Sequence, residues 1–180
     1  MPLFSQNILC LSASLLCAGC GAVWDLRTRR IPNLLTGISI LAGLFLHLVV
    51  GGWQQMGLAA AAGLIAGAVF LLFYIAGGMG GGDVKLMTAV ACLAGTRSVA
   101  ELLAATAIMG GVLALVLAAR HGMLRETFRN LGTLFTHHFR EGLKPHHELN
   151  VTNERRLRLP YALAIAAGCS ITLLSQLGLR

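Results

Sequence analysis

Charge is what this chain has least of. Only 12% of its 180 residues are charged, while 56% are hydrophobic. A soluble domain carries about 25% charged residues to cover its surface, so the composition excludes water as the main solvent and points to lipid. Acidic residues are scarcer still: seven in all, of which two are aspartates, Asp25 and Asp83, and five are Glu101, Glu126, Glu141, Glu148 and Glu154. No Lys or Arg precedes Arg27, so the first apolar stretch lacks the basic n-region of a secretory signal peptide. Positive charge follows that stretch instead, as expected of a retained helix ending in the cytoplasm. Five cysteines (Cys10, Cys17, Cys20, Cys92 and Cys169) lie in apolar surroundings and read as small buried hydrophobes. An odd number offers no disulfide framework, and a lone Cys17-x-x-Cys20 falls short of the roughly four ligands zinc takes. The signatures G-x-S-x-G, H-E-x-x-H and G-x-x-x-x-G-K-[ST] do not occur, which removes the reaction classes they mark.

What is present is a series of apolar runs. A membrane helix needs roughly 20 apolar residues. Candidate spans run over 3–23, 34–50, 56–76, 86–95, 102–119 and 160–177, giving an all-α, polytopic membrane bundle of about six helices in a single domain, 1–180. A charged break is expected from Trp24 to Asn33, and a turn at Gly51, Gly52 and Trp53. The polar stretch 120–159 reads as a cytoplasmic loop between the fifth and sixth helices. If the break after the first helix faces the cytoplasm, twelve of the fourteen Lys and Arg residues lie on that side and only Arg97 and Arg180 opposite. That bias follows the positive-inside rule and sets both termini outside the cytoplasm. The net charge of +7 then serves topology and contact with anionic lipid, not nucleic acid. Gly63 and Gly67 suit close helix packing.

Both aspartates fall on the cytoplasmic side, although the orientation argument did not use them. A carboxylate at a membrane boundary is costly to ionise and marks a functional candidate. Each has a plain alternative: Asp25 as a surface partner of Arg27, Arg29 or Arg30, and Asp83 as a helix N-cap. Asp83 closes a run with five glycines in six positions, 77–82, which should not hold a stable helix, since each glycine costs about 1 kcal/mol relative to Ala. The fourth apolar segment is short: 84–95 makes about 18 Å of helix against a hydrocarbon core of about 30 Å. Either the helix runs past Gly95, or Asp83 starts below the surface in a cavity. Two facing carboxylates sharing one proton can activate water, one accepting its proton and the other donating to a peptide carbonyl. That chemistry needs no metal or cofactor.

Asp25 followed by Ile31-Pro32-Asn33, then Gly80-Gly81-Gly82-Asp83-Val84-Lys85-Leu86, and finally Pro160-Tyr161-Ala162-Leu163-Ala164, resemble in order and position the type IV prepilin peptidases, which share a G-x-G-D motif with other aspartyl intramembrane proteases. The resemblance spans nearly the whole chain outside 120–159. It implies about six membrane helices in the bacterial inner membrane and a catalytic pair, Asp25 and Asp83. It further implies a prepilin or pseudopilin substrate, with a short basic leader cut on the cytoplasmic side, typically after a glycine. Larger members also methylate the new N-terminus and carry an insert with paired C-x-x-C motifs. This chain shows none, and so resembles the short, peptidase-only form associated with Flp (tight-adherence) pili.

Supporting roles are expected of Gly80 and Gly82, through positive φ and close substrate approach; of Pro32 and Asn33, opening the second helix; of Lys85, biasing the pair's charge or anchoring at headgroups; and of Pro160 and Tyr161 at the start of the last helix. His137, His138, His146 and His147 lack a recognisable ligand spacing and read as solvated surface. The rival readings are a membrane scaffold or small ion- or proton-coupled transporter, and a related G-x-G-D protease acting on remnant signal peptides.

Overall fold

A computed structural model describes residues 2–122, 124 and 160–178. The expectations for the 120–159 loop, including its histidine pairs, fall almost entirely outside these residues. The described residues form five α-helices and no strand: α1 (Pro2–Thr28), α2 (Asn33–Ile75), α3 (Gly81–Ala94), α4 (Thr96–Arg120) and α5 (Tyr161–Gly178). Four of them, all but α3, are long and apolar enough to cross a membrane. Large apolar side chains such as Leu16, Leu34, Phe45, Leu64 and Ile108 stand exposed along them, as lipid-facing surfaces require.

α2 is two spans in one. At Gly51 (φ −141°, ψ 16°) and Gly52 (φ 69°, ψ −167°) the backbone leaves helical geometry, in a region of φ/ψ that Gly52 can enter because it has no Cβ. Its neighbours along α3 give the direction of each half. Asn33 bonds Lys85, Ile40 accepts from Cys92 and His47 contacts the Leu93 carbonyl, so the first half runs parallel to α3. Gly63 then lies beside Thr88 and Cys92, Gly67 beside Thr88, and Tyr74 beside Gly81, so the second half runs back. The halves 33–50 and 53–75 measure about 27 and 35 Å at ~1.5 Å per residue. The expected turn at Gly51–Gly52 is thus a hairpin bend, and the five helices provide six lengths.

α3 is the hub. From Leu86 to Ala94 it is buried at every position except Thr88, which is half-buried. Glycines on its neighbours let their backbones close on it: a Cβ on Gly43 would lie 3.1 Å from the Leu93 nitrogen, and one on Gly67 2.5 Å from the Thr88 hydroxyl. This is the packing expected of Gly63 and Gly67.

Several boundaries differ from expectation. α3 does not run past Gly95, whose φ of 76° ends it. It begins instead at Gly81, so Gly81 and Gly82 are helical; a first turn needs no internal N–H bonds, and glycine is tolerated there. α1 continues to Thr28, so Asp25 sits inside a helix and not in the charged break. α4 starts at Thr96, six residues before the apolar run. In each case hydropathy marks lipid contact, whereas helix ends are set by caps.

Candidate active site

Asp25 lies in the final turn of α1. Its carbonyl accepts the Arg29 N–H at 2.9 Å. Arg29 has φ 54° and is the one non-glycine residue in the left-handed region among those described; it closes α1 with an αL cap, a role usually given to Gly or Asn. The Thr28 hydroxyl bridges the turn, 2.9 Å from the Trp24 carbonyl and 3.0 Å from that of Arg30. The chain then crosses to α3. Ile31 packs over Gly82, its side chain 3.5 Å from the place a Cβ would occupy. Pro32 caps α2 in extended geometry, and Asn33 Oδ1 accepts from Lys85 Nζ at 3.0 Å.

Asp83 is reached from the other side. α2 ends in a Schellman motif: Gly77 (φ 76°) donates to the Tyr74 carbonyl and Gly78 to that of Phe73, both at 2.9 Å. Met79, buried in the core, pins the glycine turn. Gly80 is the N-cap of α3, with φ −85° and ψ 150°. Asp83 stands three residues on, its Oδ2 accepting the Gly80 N–H at 3.3 Å. The capping expectation is therefore met in modified form: Asp83 is not the N-cap but reaches back to it. Its other oxygen has no hydrogen-bond partner among the described residues. Neither Gly80 nor Gly82 takes positive φ, contrary to expectation, because the extended N-cap and the helical first turn both hold φ negative.

The two acidic positions lie within reach of each other's charge. Leu86 of α3 seats on Gly21 of α1, its Cδ1 2.7 Å from the Cβ position. Asp25 lies four residues beyond Gly21, and Asp83 three before Leu86, so each is one turn along the same helix face toward the same end of the bundle. Of the basic neighbours considered for Asp25, Arg29 acts on it through its charge, without an ion pair within 4.0 Å among the described residues. Asp83 sits in the glycine-bounded first turn of α3, ahead of its apolar run. Burial, and after it the negative charge of Asp25, push its carboxyl up to about 7, against the opposing pull of the Gly80 N–H. Tyr161, the first residue of α5, is within reach of the Asp83 charge and holds its ring 3.8 Å from where a Cβ on Gly110 of α4 would stand. Pro160 precedes it, its carbonyl accepting the Leu163 N–H at 3.0 Å.

Asp25, Asp83, Gly80, Gly82, Pro32, Asn33, Lys85, Pro160 and Tyr161 thus gather at one end of the bundle. Lys85 is exposed and turned to Asn33. Sequence reading missed Gly21, the seating of the motif residue Leu86 on it, Arg29 as a cap, Ile31 as the lid on Gly82, and Met79 as the anchor of the turn. Met79 had a signal, one large apolar side chain inside a glycine run; Arg29 had none.

No curated protein and no solved structure matches the chain. A family model does, that of the type IV leader peptidase family, over residues 9–115, more than half of the chain and including both aspartates. With membrane-competent helices gathered around paired acids at one end, and that match running from α1 into α4, the chain belongs to the type IV leader peptidase family, a family of membrane proteases.

Proposed function

We propose that this protein is an aspartyl endopeptidase that removes the short basic leader of type IV prepilins or pseudopilins at the cytoplasmic face of the bacterial inner membrane. What supports the proposal is placement: Asp83, half-buried in the first turn of α3, lies within reach of the charge of Asp25, and burial together with that charge raises its carboxyl to about 7. Asp83 holds the shared proton and donates it to the scissile carbonyl; Asp25, ionised, takes a proton from the attacking water. The water adds to the carbonyl carbon; Asp25 then passes its proton to the amide nitrogen as the C–N bond breaks, and Asp83 recovers a proton from a hydroxyl of the gem-diol, leaving a carboxylic acid, an amine and the pair with one shared proton. The short, peptidase-only character, the Flp-type substrate and the periplasmic termini belong to the same proposal, supported by the motif order and by the charge bias.

The test is cleavage of a co-expressed prepilin. Asp25→Asn and Asp83→Asn are each expected to accumulate at wild-type levels in the membrane and to leave the leader in place. Normal processing by either variant overturns the proposal. Ion-dependent uptake into vesicles without proteolysis would establish the transporter reading instead.

A further inference from the structure

Lys85 is the only cation within three residues of Asp83, and two roles suit it. Its charge could tune the acidic pair, or its side chain could hold something in place. The geometry favours the second. Nζ is engaged by Asn33 Oδ1 at 3.0 Å, and the charge acting on Asp83 is that of Asp25.

Asn33 opens α2 at the end of a strap that begins beside Asp25. The strap leaves α1 at the left-handed Arg29, bonded to the Asp25 carbonyl. It lays Ile31 on Gly82 and ends at Asn33. Two contacts therefore tie the strap to the first turn of α3 on either side of Asp83: Ile31 to the residue before it, Asn33 to the residue two after it. The first is apolar packing, with the Ile31 side chain 3.5 Å from where a Cβ on Gly82 would stand, and it carries no directional bond. The second is directional and sets the register.

We propose that the Lys85–Asn33 hydrogen bond is a strut that fixes the distance between the Asp25 and Asp83 carboxylates, making Lys85 and Asn33 positioning residues for the water-splitting step. The inference rests on the protease function proposed above. Both partners are exposed, so the bond adds little to folding stability; its effect is on geometry. A misplacement of about 1 Å in a reacting group costs on the order of 100-fold in rate, enough for a surface bond to be visible in turnover.

The experiment uses the full-length protein in lipid nanodiscs and a prepilin peptide carrying its leader and first apolar residues. Lys85→Met and Asn33→Leu are each expected to lower kcat about 10- to 100-fold with KM within about twofold. The double variant should fall no further than the weaker single variant, because both remove one interaction. Asn33→Asp keeps an acceptor for Lys85 and should retain kcat. The pH profile of kcat in Lys85→Met should keep its limbs where the wild type has them. Additive losses in the double variant, or a pH limb displaced in Lys85→Met, overturn the strut; the second result would assign Lys85 to charge tuning. Asp83→Asn is the control. If it is inactive while Lys85→Met matches the wild type, the strut alone fails; if it still cleaves, the protease function fails first.

Discussion

Leu86 occupies the space that a side chain on Gly21 would fill, with its Cδ1 2.7 Å from the Cβ position. This seat locks α1 to α3 one helical turn deeper than the aspartates and so governs how the two acids meet. Leu86 is fully buried, so it has no room to swing aside. Gly21→Val is expected to destabilise by about 1–3 kcal/mol through overpacking and to lower cleavage along with stability. Combining it with Leu86→Ala should return part of both. Thermal unfolding in detergent and a prepilin cleavage assay measure the two effects.

The glycines before Asp83 are expected to differ in their tolerance. A Cβ on Gly80 would lie 3.3 Å from Asp83 Oδ2, tight enough to displace the carboxylate, whereas one on Gly82 would meet Ile31 at 3.5 Å, an ordinary contact. Gly82 is also helical, where Ala is favoured over Gly by roughly 1 kcal/mol. Gly80→Ala should therefore lose activity about tenfold or more, in line with small displacements of reacting groups. Gly82→Ala should keep or raise the melting temperature. A drop in melting temperature for Gly82→Ala would contradict the packing described here.

The pH dependence follows from Asp83. Its carboxyl is raised to about 7 by burial first and Asp25 second. Below that pH the pair keeps one shared proton; as pH rises through about 7 the proton is lost and cleavage should decline. Asp25→Asn removes the neighbouring charge, so the Asp83 titration should move down while burial still holds it above an ordinary carboxylate. Infrared titration of the carboxyl C=O stretch reads this directly, and an unmoved midpoint in Asp25→Asn would show that the two acids do not interact.

The hairpin bend depends on Gly52, whose φ of 69° and ψ of −167° belong to a region that is essentially glycine-only, with a cost of about 1–3 kcal/mol for other residues. Gly52→Ala should lower the melting temperature by several degrees, as a loss of that size does. Gly57→Ala, at a site where a Cβ meets nothing within 4 Å, should not. Equal effects at both positions would argue against the bend.

Much of the architecture was readable in one dimension because lipid imposes a simple rule on side chains. Runs near span length marked α1, both halves of α2, α4 and α5, and Gly51–Gly52 marked the bend. Pro160 marked the start of α5, and the motifs around Asp25 and Asp83 marked the end of the bundle where they meet. Helix ends were less legible. Asp25 fell into an expected break and Gly81–Gly82 into an expected loop, because hydropathy reports what a residue faces and not where hydrogen bonding stops.

The sequence by itself determined that this is a membrane bundle with two boundary aspartates, since both follow from which side chains lipid accepts and which it rejects. The tertiary structure alone decided that Leu86 rests on Gly21, that Ile31 covers Gly82, that Lys85 turns to Asn33, and that Asp83 is half-buried within reach of Asp25's charge. Those relationships join residues some 50 to 65 positions apart. Periodicity describes one helix at a time, whereas the proton affinity of a carboxyl depends on what other helices bring to it.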